Sequence, residues 1–395
     1  MHGLNLLQEH LLETCPEIHF SRLKAIMDVA YGLQKSNNLS LTAIGRKLNG
    51  DTDIKHKIKK VDRLEGNKKL HSELESLYQG LSQYVFKYIN YDNNIPIVVD
   101  LCFIKDKYDV QMMSAELASK GRTIPIYRDV FSKEERNGRV KNFLENLKSC
   151  LPNDKSILII MDAGFGEEWI KEIDLLDWFW IVRVRDNKKF RLDDSDNWLY
   201  QKDIPTTTST RAKNYDNAAI MREHNRKCRI IIKPYSPIRI KTNQNSRSYK
   251  YGNKEYKRSS KEPWVLATNL PKEDNNSTKI INYYKKRMQI EESFRDVKSH
   301  QFGLGARYAK TTCINRWAVK MLLAAIVQIV YWIIGILAYN KNLQRYFQAN
   351  TVKHKKVFSY FYLGQLVIEH DLLQKLEIDY DKLPSIVDEE LARVW

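Results

Sequence analysis

A chain of 395 residues has length for two or three domains, each with its own core. Its formal charge of +17 and pI near 9.4 point to a polyanionic partner, nucleic acid first. Five cysteines standing singly, with no C-x-x-C pair, exclude a disulfide framework and a cysteine zinc site.

Residues 1 to about 75 read as short helices. In SLTAIGRKLNGDTDIKHKIKK, Thr42 is expected to cap one helix, Asn49 and Gly50 to turn the chain, and a second helix to carry Lys55, Lys57, Lys59, Lys60 and Arg63. That is a helix-turn-helix pattern suited to DNA backbone contact. From Ile95 the texture changes. IPIVVD reads as a buried strand ending at Asp100, and DVQMMSAELAS and RTIPIYRDVF as two antiparallel strands after it. A helical pattern over 133–150 precedes SILIIMD, a second buried strand ending at Asp162. A helix through Trp169 and the strand WFWIVRV follow, so three strands, helix, strand, helix, strand predict an α/β core with a mixed sheet.

Between Gln201 and Glu262, 16 Lys and Arg face 5 Asp and Glu, and CRIIIKPY and IRIKTNQ alternate like exposed strands. A basic, β-rich insertion is predicted there. PWVLATN restores a core strand. MLLAAIVQIVYWIIGILA, residues 321–338, has the composition of a membrane span, but Gln328 and its setting in a basic chain predict a helix buried on all sides. No leader of the secretory kind opens the chain, no phosphate loop of the G-x-x-x-x-G-K-[ST] type appears, and the nine histidines form no close metal pair. A cytoplasmic protein without a membrane partner is expected.

The chemistry concentrates in YYKKRMQIEESFRDVK, residues 283–298. As one helix it carries Tyr284, Glu291 and Lys298 seven apart and nearly in line, with Arg287 on the same side. Tyr283, Ile290, Phe294 and Val297 would be buried on the other. Acids closing apolar strands are costly unless they emerge at an edge or meet a cation. Asp100, Asp162 and Glu291 together make an all-oxygen site for two Mg²⁺, or Mn²⁺ in their place, the arrangement used in phosphodiester chemistry. Arg287 and Lys298 would grip neighbouring phosphates.

Tyr284-x2-Arg287-x3-Glu291-x6-Lys298 resembles the Y-R-E-K signature of the IS4 family of DDE transposases. The runs EPWVLATNLP, GLGARY, CPEIHFSRL and FQANTV are similar to its IS10 group. The resemblance spans most of the chain and implies an RNase H-like core interrupted by a β-rich insertion between helical N- and C-terminal regions. The implied boundaries are a DNA-end-binding domain over 1–75, core segments over 90–187 and 263–340, the insertion over 188–262, and a C-terminal region over 341–395 with a possible dimerisation surface in LGQLVIEHDLLQKLEIDYDKL. It implies Asp100, Asp162 and Glu291 as the catalytic, metal-binding triad. DNA contacts would come from Tyr284, Arg287, Lys298 and Trp264, the last matching a tryptophan that holds an unstacked base. Met288 stands where some members carry a second tryptophan, and Leu101 and Cys102 follow the first aspartate where close relatives are more polar or aromatic. The implied activity is cut-and-paste transposition on double-stranded DNA: terminal inverted repeats are nicked, closed into hairpins, reopened and joined to target DNA by a homodimer on paired ends. The alternatives are a metal-dependent nuclease that never joins ends and a catalytically silent DNA-binding protein.

Overall fold

The computed structural model describes residues 2–89, 94–105, 109–119, 121–185, 188–194, 196–204, 211–234, 262–273, 275–352, 357–376 and 382–392. The expected IRIKTNQ strand, like the rest of 235–261, lies outside these residues. The chain divides into two compact units, one formed by 1–156 with 288–395 and the other by 157–287.

In the first unit β1 (Ile95–Lys105), β2 (Val110–Ala118) and β3 (Thr123–Ser132) form an antiparallel sheet in the order β3, β2, β1, as the alternation predicted. β1 does not end at Asp100. It continues to Lys105, with Asp100 opposite Ser114 in mid-strand. The sequence signal stopped early because burial changes there: Ile95 to Val99 are buried, whereas Asp100 and Leu101 are half-buried. Buried Arg128 and Glu116 pair across β2 and β3 at 2.7 Å, with Ser114 donating to the same carboxylate.

Helix Ile314–Asn340 is the centre of this unit. It packs on β3 and against helices His2–Thr14, Phe20–Ser36, Ile54–Glu65, Leu74–Phe86 and Tyr360–Glu369, which explains a sequence apolar all round. Its length and composition would cross a membrane, but its whole apolar window is buried in the protein, as predicted. The helix-turn-helix region forms as Leu41–Arg46 and Ile54–Glu65, with Ser40 in extended conformation at the N-cap position expected of Thr42. At the C-terminal end, Leu363, Val367 and Ile368 of the presumed partner surface are buried in this unit, on the helix that packs against Ile314–Asn340. Those three residues are therefore spent on the chain's own core.

In the second unit β4 (Ile157–Met161) pairs in parallel with β5 (Phe179–Val184) through helix Glu167–Leu175. Antiparallel neighbours then follow from β5 to β9 (Trp264–Thr268), β8 (Arg226–Lys233), β7 (Lys213–Ile220) and the short β6 (Phe190–Arg191). The described part of the predicted insertion is thus β-rich and continues the sheet from β9 outward. Positive φ at Met221 and Asn225 closes the β7–β8 hairpin.

Candidate active site

Asp162 follows directly on β4, whose five residues are all buried. Carboxylates that emerge from such a strand need partners, and Asp162 has them within its own unit. The Tyr284 hydroxyl donates to Oδ1 at 2.9 Å, and a guanidinium nitrogen of Arg287 lies 3.5 Å from Oδ2. Burial alone would raise this carboxyl group. Arg287, the Ala163 backbone N–H and the Tyr284 hydroxyl outweigh it and hold the pKa below the ordinary aspartate value. Burial, and then the Asp162 charge, drives the Tyr284 phenol far above its usual range, so it stays a donor.

The strand beside them completes the setting. Trp264, first residue of β9, meets the Tyr284 ring edge-on at 5.2 Å, and the Lys233 ammonium sits 4.8 Å from the indole centre. Burial, helped by Lys285, lowers Lys233. Lys188 donates to the carbonyls of Ala163 and Phe165, pinning the turn just beyond Asp162. Its own pKa is lowered by burial against the pull of Asp162. No periodicity or motif marked Lys188, which lies four residues beyond the end of β5.

The continuous helix expected over 283–298 is two helices, Ser277–Lys285 and Met288–Lys298. Lys286 and Arg287 donate backbone bonds three residues back, to Tyr283 and Tyr284. Such bonds overwind the chain locally, so the 3.6-residue period is interrupted at Lys286 and Arg287. Tyr284 and Arg287, expected to face away from the core, are buried with exposures of 3% and 7%. Their polar atoms are spent in part on Asp162.

Glu291 is exposed in the first turn of its helix, where the macrodipole favours an anion. Ile290, Phe294 and Val297 are buried as predicted, and the Lys298 ammonium lies 5.9 Å from the Phe294 ring centre. This helix packs on β1 and β3 in the first unit. On β1, Asp100 accepts a hydrogen bond from the Leu101 backbone N–H at 2.8 Å. Asp100 and Glu291 thus belong to the first unit and Asp162 to the second. Among the described residues no three His, Cys, Asp or Glu side chains are gathered closely enough to hold a metal ion. By itself Asp162, kept ionised by its neighbours, has the oxygen-donor chemistry that a hard divalent cation prefers.

A basic α/β chain with a hydrogen-bonded, ionised carboxylate at a strand end shares these features with nucleic-acid-processing enzymes. Residues 105–328, over half the chain, match the family described as the transposase DDE domain, and the chain belongs to that family. The matched span contains Asp162, Glu291 and the Y-R-E-K residues, and begins just after Asp100. No curated protein matches the sequence.

Proposed function

We propose that this transposase is a cut-and-paste enzyme of the IS4 type, with an RNase H-like core, acting on the terminal inverted repeats of its own element. The observation that carries the reading is the hold of Tyr284 and Arg287 on Asp162 in a family-matched chain: two signature residues fix and ionise the acid the family chemistry needs. Asp100, Asp162 and Glu291 act as the catalytic triad and would hold two Mg²⁺, or Mn²⁺. Bound there, the ions would supply an activated attacking oxygen and charge neutralisation at the departing one.

The protein's own contribution is positioning. Asp162 stays deprotonated and oriented by Tyr284 and Arg287. Lys298 contacts phosphate, and Trp264 offers a ring to an unstacked base, with Lys233 over the indole as a cation beside it. The helix-turn-helix region, with Lys55, Lys57, Lys59 and Arg63, binds the repeat. The segments 1–75, 90–187, 188–262, 263–340 and 341–395 are the working divisions, and a homodimer pairs two ends.

Tyr284→Phe keeps the ring and deletes the hydroxyl. It is expected to lower the single-turnover cleavage rate about 10- to 100-fold, the usual cost of losing a partner that orients a metal ligand, with excess Mg²⁺ restoring part of it. Product analysis tests the function itself. Purified protein is incubated with linear DNA carrying the element's ends and a target plasmid, with Mg²⁺ or EDTA. Metal-dependent nicks, end hairpins and joined products are expected. Nicks without joining would favour the nuclease reading, and specific binding without cutting the silent one.

A further inference from the structure

A cleft of about 790 Å³ in the first unit runs from Glu291 past the end of its helix, lined by Phe294, Arg295, Lys298, His300, Arg307 and Tyr308 among others. Its rim is braced. The Leu304 and Gly305 backbone N–H groups donate to the carbonyls of Asp296 and Ser299 at 2.7 and 2.8 Å, folding the loop back on the helix end. Arg122 secures the same turn through the Asp296 carboxylate at 2.6 Å. The Lys105 ammonium bonds the Arg307 carbonyl.

Two features of the lining point to one kind of occupant. Arg295 is paired with Glu292, but among the described residues no carboxylate pairs with Lys298 or Arg307. Two cations are thus left for an anion. Beside them the His300 and Tyr308 rings lie 4.4 Å apart, tilted by 53°, and Tyr308 remains 53% exposed. An aromatic face next to uncompensated cations is how proteins hold an unpaired nucleotide, the base on the ring and the phosphate on the charges. The volume falls within the range of roughly 300–1,000 Å³ typical of small-ligand sites, which admits a nucleotide.

We propose that this cleft binds an unpaired nucleotide of a DNA strand next to Glu291, with Tyr308 stacking on the base and Lys298 and Arg307 on its phosphates. The inference rests on the transposase reading, since it assigns the cleft to the strand being processed. It adds His300, Arg307 and Tyr308, none of them in the Y-R-E-K signature.

The test is fluorescence anisotropy with the full chain in EDTA, so that nothing is cut. It uses a labelled duplex of the element's end, either blunt or with a short single-stranded extension on one strand or the other. Wild type is expected to prefer an extended duplex. Tyr308→Ala is expected to weaken binding to that duplex about 10-fold or more and to leave the blunt duplex unchanged, whereas Tyr308→Phe retains the preference. Arg307→Ala should reduce the salt dependence by about one phosphate contact. No preference in wild type, or equal loss on both DNAs in Tyr308→Ala, overturns the proposal. Cleavage in Mg²⁺ is scored separately: a chain that cuts and joins ends but lacks the Tyr308 effect loses only this inference, and one that shows the effect but never cuts loses the transposase reading.

Discussion

Lys320→Met is expected to destabilise the protein by about 3–5 kcal/mol, measured as a lowered urea midpoint. Lys320 and Glu65 form an ion pair with exposures of 2% and 1%, and the same ammonium donates to the Leu39 carbonyl at 2.8 Å. Burial lowers Lys320 and raises Glu65 against the pull each exerts on the other, so removing one partner strands a buried charge. One lysine of the central helix thereby holds the last residue of helix Ile54–Glu65 and the chain entering helix Leu41–Arg46. Lys320→Met combined with Glu65→Leu removes both charges, and the pair should recover much of the loss. Additive losses in the double variant would show that packing, and not the charge pair, sets the cost.

Gly335→Ala is expected to cost about 3 kcal/mol or more, at or beyond the upper end of ordinary overpacking. A Cβ at Gly335 would lie 1.8 Å from the Tyr360 carbonyl oxygen, and one at Gly364 2.0 Å from that of Tyr331. Helices Ile314–Asn340 and Tyr360–Glu369 therefore cross backbone to backbone through two glycines, and backbone cannot turn aside as a side chain can. Intrinsic propensity works the other way, favouring alanine in a helix by about 1 kcal/mol. The sign of the change in thermal unfolding decides between them: a lowered midpoint supports the close crossing, and a raised one would mean that the helices stand apart.

What could be read from the sequence follows from how local each signal is. Ile157–Met161 is apolar because every residue is buried, so the strand showed itself in its own letters. So did helix Ile314–Asn340, whose surroundings are protein on all sides. The triad and signature residues were picked out by spacing and resemblance. Their partners were not, because Tyr284 and Arg287 meet Asp162 from more than 120 residues away along the chain. The break at Lys286–Arg287 was hidden for a related reason: no glycine or proline marks it, and only backbone bonds three residues back reveal it. Lys188 and Lys320 carry no motif or period of their own, and both are held by carbonyls supplied by other segments, Lys320 also by the Glu65 carboxylate.

Glu291, with Asp100 and Asp162, is proposed to carry DNA cleavage by this family member. Glu291 is exposed at the start of its helix, so Glu291→Gln alters charge without disturbing the buried Ile290, Phe294 and Val297. The decisive measurement compares wild type and Glu291→Gln for binding to end DNA and for Mg²⁺-dependent cleavage of it on a denaturing gel. Equal binding is predicted, with cleavage lowered by at least about 100-fold, more than the loss of an outer partner such as Tyr284 would cause. A Glu291→Gln protein that binds and cuts like wild type would show that Glu291 has no part in the cleavage chemistry.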